Sequence, residues 1–146
     1  MTGRLACSIA LVAAISAAPG PLFTTNTVHA QDASATAART SVDAWLSLVD
    51  THNHGASWET AASVFKNAVT QEQWSAALQK ARVPLGQMKS RALKGSTVAK
   101  PPAAPDGEYL VFQFDTSFDQ RASAVETVTA FKEKDGTWRV AGYFIK

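Results

Sequence analysis

From Thr36 to Asp50 the apolar residues Val42, Trp45, Leu46 and Val49 recur at the spacing of one face of an α-helix. Thr51-His52-Asn53-His54-Gly55 interrupts that stripe, with Gly55 suited to a left-handed turn. Ser57 is placed to cap a second helix, with Glu59 in its first turn and a buried stripe of Ala61, Val64, Phe65, Ala68 and Val69. Thr70-Gln71-Glu72-Gln73 has capping-box spacing and opens a third helix carrying Trp74, Ala77, Leu78 and Ala81 inward, which Pro84 and Gly86 end.

Beyond Gly86 the period changes from 3.6 to 2. Gln87 to Ala99 reads as a poor strand, and Pro101 to Gly107 as a loop, because its prolines cannot join a ladder. Glu108 to Phe118 alternates cleanly, and Asp135-Gly136 joins Ala122–Lys134 to Thr137–Ile145 as a tight hairpin. With two-residue tips at Asp119-Gln120 and Asp135-Gly136, Phe114 faces Val125, Phe112 faces Thr127, Leu110 faces Thr129, and Phe131 faces Val140, while Thr129 faces Gly142 and Thr127 faces Phe144. One side then collects Leu110, Phe112, Phe114, Val125, Phe131, Trp138, Val140 and Phe144. The other collects Tyr109, Val111, Gln113, Glu126, Val128, Arg139, Ala141, Tyr143 and Ile145. The expected class is α+β, with three N-terminal helices packed on the first side of a curved, four-stranded antiparallel meander. The second side, around Val111, Val128, Tyr143 and Ile145, is too apolar for a solvated face and suggests an interface.

Composition matters most at the N-terminus. After Arg4 the chain runs uncharged from Leu5 to Ala18, breaks at Pro19-Gly20-Pro21, and reaches Val28-His29-Ala30 before Gln31-Asp32. This has the form of a secretory signal peptide cut after Ala30. At about 14 residues the apolar run is shorter than the roughly 20 a membrane helix requires. The expected organisation is a signal peptide over residues 1–30, a flexible tether over 31–37, and a single domain over 38–146, periplasmic or secreted, with no transmembrane span after cleavage. Removal of the leader takes away Cys7, the only cysteine, and with it disulfides, thiolate metal sites and cysteine nucleophiles. A net charge of +2 gives no strong attraction to nucleic acid.

Candidate chemistry is sparse. Asp50, His52 and His54 could supply metal donors, but no cysteine or distant histidine closes such a site, and the segment reads as a polar loop without a metal. Glu126, opposite Gln113 and beside Tyr143 on the apolar sheet side, could have a perturbed carboxyl. Gln113, Glu126 and Tyr143 therefore form the candidate ligand-binding patch, whereas no catalytic set is identified and no cofactor is implied. Neither a nucleophile elbow nor a phosphate-cradling glycine loop is present. Arg82, Lys89, Arg91, Lys94 and Lys100 read as a solvated edge strand, where lysines discourage pairing. The four tryptophans fall at core positions, with Trp58 the most exposed.

Several phrases occur together in order: Asp43-Ala44-Trp45-Leu46-Ser47-Leu48-Val49-Asp50, Ser57-Trp58-Glu59-Thr60-Ala61-Ala62, Arg82-Val83-Pro84-Leu85-Gly86, Pro105-Asp106-Gly107-Glu108-Tyr109, and Asp135-Gly136-Thr137-Trp138-Arg139-Val140-Ala141-Gly142-Tyr143-Phe144-Ile145. With Thr116-Ser117-Phe118 and Glu126-Thr127-Val128-Thr129 they make the chain resemble the bacterial domain family DUF4019 from about Ala38 to Ile145. The resemblance implies an exported domain with no assigned activity; NTF2-like and cystatin-like folds share its order of helices before sheet. His52-Asn53-His54-Gly55 departs from the short Gly- and Tyr-containing stretch expected there. The leading expectation is a non-enzymatic binding or interaction module of the cell envelope, acting as a homodimer or with another envelope protein. The alternative is a small-molecule or enzymatic pocket between helices and sheet.

Overall fold

The computed structural model describes residues 26–146. Residues 1–25 of the expected signal peptide lie outside them. Four helices precede a four-stranded sheet: α1 (Asn26–Asp50), α2 (His54–Glu59), α3 (Ser63–Ala68) and α4 (Gln71–Arg82), with a 3-10 turn at Val83–Leu85. The strands β1 (Met88–Val98), β2 (Tyr109–Phe118), β3 (Arg121–Lys132) and β4 (Trp138–Ile145) form one antiparallel meander in chain order. The class is α+β, as the change of period indicated. Helix α1 begins upstream of residues 31–37, so the segment expected to be a tether is helical. No helix among the described residues is long and apolar enough to cross a membrane.

The expected second helix is two short ones. Asn53, rather than Ser57, caps α2 by accepting from Ala56 N, and Ser57 is a fully buried residue inside it. The helix stops where Ala62 N donates to Val140 O at 2.8 Å, which ties the chain to β4 before α3 starts. The left-handed residue of the preceding loop is His52, at φ 58°, and Gly55 is helical. The capping box at Thr70 and Gln73 forms as expected.

Val42, Trp45, Leu46 and Val49 of α1 meet Trp74 and Leu78 of α4 over Phe112, Phe114, Val128 and Val140. The buried indoles are anchored: Trp45 Nε1 donates to Ser57 O at 2.7 Å and Trp74 Nε1 to Ser57 Oγ at 2.9 Å. Trp58 is half-buried and donates to Val69 O.

The register corrects the expected sheet faces. Phe118 does pair with Arg121 across the Asp119-Gln120 tip, but Thr116 pairs with Ala124, so β3 carries one extra residue at a bulge. Beyond it Phe114 faces Glu126, Phe112 faces Val128 and Leu110 faces Ala130, each one residue from the expected pairing. Side chains alternate along a strand, so the slip exchanges the faces of β3: Glu126 and Val128 turn towards the helices, and Val125, Thr127 and Thr129 turn away. Thr129↔Gly142 and Thr127↔Phe144 pair as expected, but a second irregularity sets Ala130 against Val140 and Phe131 against Arg139. Tyr143, opposite Val128, consequently faces the core, whereas Phe144 faces out and is 54% exposed. The apolar outer patch expected around Val128 and Tyr143 therefore does not exist. At one end of the outer face, Tyr109 and Phe131 form a smaller core with Ala62, Val64 and Ala104. The proline loop is fastened there by Tyr109 OH donating to Pro105 O.

Candidate functional site

Beneath the helices, six residues from six elements converge. Asp50 ends α1, Arg82 ends α4, and Arg91, Thr116, Glu126 and Tyr143 come from β1, β2, β3 and β4 respectively. Arg91 lies opposite Thr116, and the β3 bulge brings Glu126 to the same inward face. Glu126 is fully buried and is held by both cations. Its Oε1 accepts from Arg82 Nη1 at 2.7 Å and from the Tyr143 hydroxyl at 2.6 Å, and its Oε2 from Arg91 Nε at 2.7 Å and Thr116 Oγ1 at 2.6 Å. Asp50 accepts from Arg82 Nη2 and, at 2.7 Å, from Arg91 Nη1. Arg82 also stacks over the Phe118 ring at 4.5 Å.

Two cations and two carboxylates neutralise one another, with nearly ideal charge-assisted geometry. Burial on its own would disfavour the charged Arg91 guanidinium. Hydrogen bonds to Asp50 and Glu126, and the charges of both, outweigh it and hold the group protonated more firmly than usual. Burial raises the Tyr143 phenol well above its ordinary value, and the Glu126 carboxylate raises it further. Each group's chemistry is absorbed by its neighbours, an arrangement suited to joining elements rather than to transferring protons.

Two surface features lie outside this network. A groove of about 790 Å³ is lined by His52, His54, Gln79, Val83, Gln87 and Asp119. The His54 Nε2 is buried and has no hydrogen-bond partner among the described residues. Burial first, and then the charge of neighbouring His52, push the His54 imidazole below its ordinary value. The second groove, about 460 Å³, lies on the outer face of the sheet, where Thr127, Thr129 and Phe144 meet the Pro101–Pro105 loop and Val64 and Ala68 of α3.

The family model described as a protein of unknown function (DUF4019) matches residues 41–143. The chain belongs to the DUF4019 family. No curated protein and no solved structure matches it. The part of this DUF4019 chain that the family model covers runs from α1 to β4 and takes in all six residues of the ion network.

Of the three residues grouped from the sequence of this DUF4019 domain, the fold keeps two together. Glu126 and Tyr143 are bonded beneath the helices, while Gln113, opposite Thr127, is exposed on the other face. Asp50, first grouped with the histidines, is committed to Arg82 and Arg91. The edge-strand reading holds for Lys89, paired to Asp119, and Lys94, paired to Asp115, whereas Lys100 lies beyond β1 and pairs with Asp106. It fails for Arg82 and Arg91, which turn inward. A signal for that did exist: Ala124, Glu126, Val128 and Ala130 make an apolar series broken by one carboxylate, which needs a buried cation.

Proposed function

We propose that this domain is a non-enzymatic binding module of the bacterial envelope, and that its outer-face groove is the contact surface for an apolar segment of another protein. The observation that carries this reading is Phe144, a large aromatic more than half exposed in a groove lined also by prolines, threonines, small apolar residues, Tyr109 and Tyr143. Aromatic residues in such settings are the usual anchors of protein interfaces. The ion network argues in the same direction, because its acids and bases are spent on each other and leave the domain without a free proton donor or acceptor there.

The test is a photo-reactive amino acid placed at position 144, with a control at exposed Lys80, in cells of the native host. A discrete adduct formed from position 144 but not from position 80 supports the module, and a mass twice that of the chain would identify the partner as a second copy. Equal labelling from both positions, or none from either, refutes it. Envelope location is tested by the mass of the chain recovered from the envelope fraction, where a terminus at Gln31 is expected.

A second reading is favoured by size. About 460 Å³ is within the range of small-molecule sites, so a small apolar ligand could occupy the same groove. Native mass spectrometry of the purified chain separates the two, since a bound molecule adds its own mass to the monomer.

A further inference from the structure

His54 Nε2 stands out among the buried polar atoms, because nothing among the described residues bonds it. A buried polar atom with no partner is rare and calls for a physical reason. A neutral ring nitrogen stays unpaired at modest cost, but a protonated one is a buried charged donor without an acceptor, which is far more costly. The place of the ring gives that difference something to act on. His54 opens α2, and its carbonyl accepts from Ser57 Oγ at 2.8 Å. Ser57 in turn accepts the indole N–H groups of Trp45 and Trp74. A helix of six residues is too short to hold itself together, so α2 stands only while these contacts hold it.

We propose that His54 is an acid-operated latch: with its imidazole neutral the Thr51–Glu59 segment closes over Trp45 and Trp74, and protonation of the ring opens that segment while the sheet stays folded. The surrounding charges favour this direction. Burial first, and then His52, hold the closed ring below its ordinary value. The two ring centres lie 6.0 Å apart, so each positive charge opposes the other. No free anion offsets them. The one carboxylate lining the groove is Asp119, from the tip between β2 and β3, and it accepts from Gln87 N and pairs with Lys89. Helix α4 and the 3-10 turn present uncharged Gln79 and Val83 to the groove. Asp50, ending α1, and Arg82, ending α4, are bound within the ion network.

The loop leading into α2 is set to move on such a signal. His52 holds φ 58°, a conformation that non-glycine residues keep only under constraint, and opening removes that constraint. The neighbouring groove of about 790 Å³ gives the charged ring room to turn towards water. Because the closed form binds the proton less readily than the open form, acid favours opening. The closed segment is most stable above the ordinary histidine value of about 6.5 and loses stability as the pH falls through it. With the closed ring neutral throughout, the open population rises by at most about 25-fold between about pH 7 and about pH 5.

The experiment is amide hydrogen exchange of the full chain at about pH 7 and about pH 5, with rates corrected for the intrinsic pH dependence of exchange. Protection of Ser57 N and Thr60 N, which donate to Asn53 O and Ala56 O, should fall by about 10- to 25-fold, and that of the β2 and β3 amides should hold. In His54→Gln, whose side chain is neutral at both pH values, the fall should disappear, whereas His52→Gln should retain most of it. Circular dichroism verifies that both variants are folded. Proton NMR of the unaltered chain gives a reading independent of either variant, with the His54 ring titrating below about pH 6.5. An equal fall in His54→Gln, a fall shared by the sheet, no fall at all, or a His54 ring titrating at or above its ordinary value would overturn the latch.

Discussion

Replacing Glu126 by glutamine tests the ion network with almost no change of shape. The side chain is fully buried and accepts from Arg82, Arg91, Tyr143 and Thr116. Glutamine removes one of two negative charges while both guanidiniums stay in place, and its amide nitrogen must point at donors on one side or the other. Breaking a buried ion pair from one partner costs about 3–5 kcal/mol, because the remaining charge is left without compensation. Arg91 retains 11% exposure and can lean towards water, which puts the expected loss near the lower end, about 3 kcal/mol. Urea unfolding followed by tryptophan fluorescence is a direct assay, since Trp45 and Trp74 both lie against the Tyr143 ring. With a denaturant slope of about 1–3 kcal/mol per molar, the midpoint should fall by roughly 1–3 M at unchanged slope. A loss below about 0.5 kcal/mol would show that water shares the network, and the account of Glu126 as a desolvated hub would be wrong.

Three further outcomes follow from other parts of the fold. Ser57→Ala leaves the buried Trp74 N–H without its acceptor and should cost about 1–3 kcal/mol in the same urea assay. Gly86→Ala should cost about 1–3 kcal/mol or more, because φ 75° with ψ −157° is essentially glycine-only and the added Cβ would meet Asp119 Cβ at 2.7 Å; thermal unfolding reads it out. The Tyr143 phenol has a higher pKa folded than unfolded, so the native state keeps a proton that the unfolded chain releases. Stability from this group is complete below about pH 10 and declines as pH rises above it. The phenolate absorbance of Tyr143, compared with a Tyr143→Phe variant, should therefore appear only together with alkaline unfolding.

The periods of the chain were enough to read the class, the strand order and most of the core. The helical stripes at Val42–Val49 and Trp74–Leu78 and the alternation of Leu110, Phe112 and Phe114 all face the core. What the pattern did not contain was the count of residues at the bulges. Asp119-Gln120 and Asp135-Gly136 do mark the turns, yet one additional residue beyond the first tip reverses every side chain of β3 that follows. Thr127 and Thr129 favour the solvent side by residue type, but the two-residue tip taken at Asp119-Gln120 set the register and turned them inward. A carboxylate is assigned outward by default unless its cations are known, and Arg82 and Arg91 come from a helix end and an edge strand that only the tertiary fold brings together. The candidate site was legible as residue types and illegible as an arrangement.

The six-way meeting at Glu126 also bears on the order in which the molecule assembles. Asp50 and Tyr143 stand near opposite ends of the folded chain, and the network closes only when α1, α4 and all four strands are already in position. Contacts that depend on so many separate segments are expected to form after the rate-limiting barrier, and weakening them is then expected to leave the folding rate nearly unchanged and to speed unfolding. Glu126→Gln should accordingly shift the unfolding limb of the chevron and spare the refolding limb. That makes the ion network a latch on the lifetime of the native state, and its effect would be measured in resistance to proteases more than in the ease of folding.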